Sequence, residues 1–122
     1  MTAIIGIPEI PGARRETVLW LAQRAAAAVL ALCVLVHLAL IVYAVRGGLT
    51  AAEILGRTRG SAAWLAFYLV FVAAAAVHAP IGLRTILREL TGWRGRSLDG
   101  ATVAFAIILA AFGTRAMWGL FR

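Results

Sequence analysis

The sequence is short of charge. Only 14% of its 122 residues are Asp, Glu, Lys or Arg, against roughly 25% in soluble domains, while 63% are hydrophobic and mean hydropathy is +0.94. A soluble fold of this size could not hide so much apolar surface. The single cysteine, Cys33, excludes an internal disulfide, and with only two histidines there is no Cys/His spacing to hold zinc. Cys33 reads as a small apolar packing residue. No carboxylate falls deep in an apolar run, which removes the usual proton-relay and cation-transport constellations. Paired acids for hydrolysis and a Ser/His/Asp set are missing too, so nothing marks the chain as a catalyst by itself.

What is present is three apolar runs, Ala25–Val45, Ser61–Leu83 and Ala101–Leu120, each near the roughly 20 residues that cross a bilayer as helix. They predict an all-α integral membrane protein, one transmembrane domain over 1–122 with helices at about 17–46, 61–90 and 100–121. Gly and Pro mark the edges: Pro8 and Pro11, Gly47 and Gly48, Gly92 and Gly95. Arg14 and Arg15 precede the first run as in a signal peptide, but that run is too long for one and two more spans follow. The alanine tracts Ala25–Ala28 and Ala73–Ala76 allow close helix approach or leave room for a flat cofactor.

All twelve basic residues are arginine and the net charge is +7. Because they flank apolar helices, they speak for orientation rather than nucleic-acid binding. With the termini on opposite sides, Arg14, Arg15, Arg24, Arg84, Arg88, Arg94 and Arg96 face one compartment, and Arg46, Arg57, Arg59 and Arg122 the other. The positive-inside rule puts the first side, and the N-terminus, in the cytoplasm.

The polar residues within the spans are His37, His78 and Arg115, with Arg24 and Arg84 at the cytoplasmic edge. Each is costly in hydrocarbon and therefore a candidate for function. A histidine there can be satisfied by a neighbouring helix, or it can ligate haem, the chemistry that two intramembrane imidazoles and an arginine-rich edge suit. At 1.5 Å per residue His78 lies roughly 9 Å from Arg84, and His37 roughly 20 Å from Arg24 at the same edge. A depth difference of about 10 Å is too large for one upright haem to span. Each histidine would then need its second axial partner from another subunit.

The stretch His78-Ala79-Pro80-Ile81-Gly82-Leu83-Arg84, continuing to Glu89, resembles the His-x-x-x-Gly-(Ile/Leu)-Arg motif, followed by an acid, of the cytochrome b membrane anchors (C-type subunits) of succinate dehydrogenase and fumarate reductase. Gln23-Arg24 is similar to the arginine motif those anchors carry at the start of the first helix. The resemblance implies a haem b ligated at iron by His78, quinone as substrate, and as partners a second anchor subunit, an iron–sulfur subunit and a flavoprotein. It departs where mitochondrial-type members have Ser-x-x-His-Arg, since this chain reads Trp20-Leu21-Ala22-Gln23-Arg24 and lacks the serine that meets quinone. A histidine at position 37 is similar to di-haem members instead.

These observations set the expectations. Gly82, one turn after His78, would let a haem or a backbone approach. Pro80 would disturb the helix just past the histidine. Arg84 would snorkel to propionates or lipid, and Arg24 would lie near the haem or quinone. His37 would ligate the iron of a second, far-side haem, with Arg115 near a propionate. The chain would carry electrons between an iron–sulfur subunit and membrane quinone in the bacterial cytoplasmic (inner) membrane, as a non-catalytic anchor of an oxidoreductase. The alternative is a haem-free structural or assembly subunit whose histidines only bridge helices.

Overall fold

The computed structural model describes residues 10–122, so Pro8 lies outside the described residues. The chain forms α1 (Ala13–Arg46), α2 (Ala51–Thr58), α3 (Ala62–Thr91) and α4 (Arg96–Phe121), with no strand among the described residues. α1, α3 and α4 are long and apolar enough to cross a membrane, and the all-α, three-span expectation holds. Glycine sets several of their limits. Gly12 (φ 88°) and Gly95 (φ 91°) precede α1 and α4, which start four residues earlier than the hydrophobic pattern suggested. Gly92 ends α3 in the left-handed conformation (φ 71°), which glycine adopts without a Cβ penalty.

α2 is the element that hydropathy missed, because it is short and polar. Its start is written as Thr50-x-x-Glu53: the Thr50 hydroxyl accepts from the Glu53 amide, and the Glu53 carboxylate accepts from the Thr50 amide at 2.7 Å. That backbone hydrogen bond holds the Glu53 carboxyl below its ordinary pKa, so the cap is fully formed above the ordinary value and is lost as pH falls through the lowered one. At its other end α2 closes the terminus of α4. Thr58 Oγ1 donates to the Leu120 carbonyl at 2.9 Å and the Gly60 amide to the Phe121 carbonyl at 2.9 Å, carbonyls that have no partner within their own helix.

α3 is the middle element, packed against α1 on one side and α4 on the other, while α1 and α4 have little contact with each other. Small side chains make this possible: Ala26 and Cys33 of α1 and Ala74 of α3 are buried. On the α4 side, a Cβ at Gly113 would sit 2.7 Å from Val72 Cγ1. Gly113→Ala should therefore overpack the α3–α4 seam and cost about 1–3 kcal/mol. The unfolding midpoint of the purified complex checks this, and Val72→Ala in the same chain should recover most of the loss. The rest of the apolar surface faces outward, with Leu32, Leu35, Ile107 and Phe112 each more than 60% exposed, as suits contact with lipid and other subunits.

α3 continues as one helix through buried Pro80. Because α1 and α3 run antiparallel, as do α3 and α4, the start of α1, the end of α3 and the start of α4 share one end of the molecule. This end holds the candidate site.

Candidate functional site

Five charged side chains lock that end together. Arg84 Nη2 meets Glu16 Oε1 at 3.0 Å and Arg84 Nε meets Asp99 Oδ1 at 3.0 Å; Arg15 reaches Asp99 at 2.8 Å and Arg88 reaches Glu16 at 3.0 Å. The series Arg15, Asp99, Arg84, Glu16, Arg88 thus crosses α1, α3 and α4. Arg84 is its centre, with a side chain only 12% exposed. Rather than snorkelling, Arg84 is held by two carboxylates. Sequence reasoning missed this because it weighed Arg84 against lipid and propionate alone. The signal was present: Glu16 and Asp99 stand in the first turns of α1 and α4, Arg84 and Arg88 in the last turns of α3, and antiparallel packing makes those turns neighbours.

Beside this cluster α1 and α3 enclose an open-sided cavity of about 730 Å³, whose walls include Trp20, Gln23 and Arg24 from α1 and His78, Gly82 and Arg84 from α3. Among the described residues, His78 Nδ1 and Gln23 Oε1 are buried without a hydrogen-bond partner. Such orphans are costly unless something absent from the single chain meets them. Gly82 plays a different part from the one expected. A Cβ there would lie 3.1 Å from Gln23 Nε2, so the missing side chain admits the amide of Gln23 from α1. Arg24 stays out of the carboxylate cluster and lies over the Trp20 ring, 5.4 Å from its centroid, both exposed at the cavity's edge. Gln23 is thus a wall residue that the motif alone did not single out.

His37 sits elsewhere. Its Nδ1 is 3.4 Å from Tyr68 Oη, and its ring meets Tyr68 and Phe71 edge-on at centroid distances of 5.9 and 5.5 Å. Phe71 and His78 are seven residues apart on α3, roughly 10 Å, so the two histidines occupy different levels. Arg115 lies in a trough on α4 lined by α4 residues only. The structure therefore brings His78, Gly82, Arg84 and Arg24 around one cavity. It does not bring His37 and Arg115 together.

A family model, described as succinate dehydrogenase/fumarate reductase transmembrane subunit, matches residues 10–114. The chain belongs to this family. Comparison with curated proteins and with solved structures gave no significant match. As a succinate dehydrogenase/fumarate reductase transmembrane subunit, the chain is a multi-pass membrane anchor, and the matched range contains the whole ion cluster and the cavity walls named above. It stops one residue before Arg115.

Proposed function

We propose that this anchor subunit binds one haem b at the α1–α3 cavity, where His78 would hold the iron, and so carries electrons between an iron–sulfur subunit and membrane quinone. The observation that supports it most is that His78, which lines a cavity of about 730 Å³, has a buried ring nitrogen, Nδ1, without a hydrogen-bond partner, in a space within the roughly 300–1,000 Å³ usual for cofactor sites. When bound there, haem supplies a one-electron centre. His78 would hold the iron, and Arg24 and Arg94 are the cations lining the cavity that would suit its propionates, since Arg84 and Arg88 are already matched by Glu16 and Asp99. The open side of the cavity leaves room for a second anchor subunit, which would supply a further donor to the haem. With the arginine-rich end inward, the N-terminus is cytoplasmic and the cavity lies on that side.

His37 is left to helix packing in this reading, because Tyr68 offers it a hydrogen bond and aromatic edges surround its ring. That choice replaces the two-haem expectation with a single haem. A reduced-minus-oxidised spectrum of the purified complex tests the proposal: a b-type α-band supports it, and its absence returns the chain to a haem-free scaffold. Arg24→Ala should slow quinone reduction by roughly tenfold or more, the loss of one charged contact worth about 1.5–3 kcal/mol. Steady-state turnover with the complex intact checks it, and unchanged turnover would reduce Arg24 to a topology residue.

A further inference from the structure

Arg115 is the cation within a span that the proposed function leaves over. It belongs to a stripe of α4, Ile107, Ala110, Ala111, Thr114, Arg115 and Trp118, which forms a shallow, wide-open trough on the helix surface. The spacing of three and four residues puts all six on one helix face, a face that no other described element covers. Arg115 stands seven residues before Arg122, roughly 10 Å inside the far edge of the span, where an unmatched guanidinium is expensive unless its long side chain snorkels outward to an anion at the headgroup level.

No carboxylate among the described residues answers it. Glu16, Glu89 and Asp99 belong to the opposite end of the molecule, and Glu53, in the first turn of α2, already accepts from the amide and hydroxyl of Thr50. The missing anion must come from outside the described residues. The order of residues along the trough says what carries it. Thr114, Arg115 and the 51% exposed Trp118 occupy the turns toward the membrane edge, and Ile107, Ala110 and Ala111 continue toward the bilayer centre with nothing polar. Charge at the interface end, an indole at headgroup level and a smooth apolar floor of two alanines match the headgroup and acyl chain of one phospholipid. A helix from a protein partner would have to bury a carboxylate opposite Arg115 with only the Thr114 hydroxyl beside it, whereas a headgroup phosphate keeps part of its hydration.

We infer that this face of α4 is a binding site for a phospholipid of the far leaflet, whose phosphate pairs with Arg115 and whose acyl chain lies over Ala110 and Ala111. The test is the phospholipid retained by the whole complex after extensive detergent exchange, counted by native mass spectrometry and phosphorus assay. Wild type and Arg115→Lys should retain one phospholipid more per chain than Arg115→Gln. Ala111→Trp, which fills the trough and leaves the charge in place, should also lose it and serves where Arg115→Gln fails to assemble. Re-addition of phosphatidylglycerol should restore the lipid to wild type, and inorganic phosphate should not compete with it. Equal lipid counts in wild type and both loss variants would overturn the inference. So would efficient disulfide or photo-crosslinking from position 111 to another subunit.

Discussion

His78→Ala should abolish the b-type α-band of the complex or convert it to a high-spin spectrum. An axial imidazole contributes the strong-field ligand that keeps the iron low-spin, and its loss changes both spin state and potential. The effect should be all or none for a single haem. His37→Phe should leave the band in place, because that ring contacts Tyr68 and Phe71 rather than the cavity. Its cost should be the hydrogen bond to Tyr68, about 0.5–1.5 kcal/mol of stability. The optical spectrum of the two variants side by side checks both halves. Loss of the band in His37→Phe with retention in His78→Ala would reverse the assignment.

The second large effect concerns Arg84. Arg84→Ala takes the centre out of the ion cluster and leaves Asp99 with Arg15 and Glu16 with Arg88 alone. Removing one partner of a buried pair costs about 3–5 kcal/mol, whereas exposed pairs are worth about 0–1 kcal/mol. Arg84 is 12% exposed but its carboxylates are 48% and 26% exposed, which places the expected loss at about 2 kcal/mol. Arg88→Ala, which removes one contact from a side chain 30% exposed, should cost about 0.5 kcal/mol. The unfolding midpoint of the complex gives the comparison, and a double-mutant cycle with Asp99→Asn isolates the pair. Equal effects of the two arginines would mean that the cluster is only solvated surface charge.

The three spans were legible because a run of about 20 apolar residues allows few alternatives. His78, Gly82, Arg84 and Arg24 were legible as candidates because they are spaced by helical turns near one membrane edge. What the sequence hid was partnership across helices. Arg84 reads as a topology residue until the first turns of α1 and α4 bring Glu16 and Asp99 to it. Gly82 reads as open space until α1 places Gln23 over it. Counted along their helices, His37 lies roughly 14 Å inside Arg46 and Arg115 roughly 10 Å inside Arg122, but similar depth carries no information about azimuth: one faces α3 and the other an outer stripe of α4. α2 was hidden for a different reason. Its eight residues are too few and too polar to register in hydropathy, and only the Thr50-x-x-Glu53 pattern announces it.

Haem stoichiometry tests the central claim most directly. The complex purified from membranes through a tag on this chain should contain one b-type haem per copy, counted by haem extraction against protein, and none in the His78→Ala form. Wild-type complex with no haem, or an unchanged haem content in His78→Ala, would contradict the account.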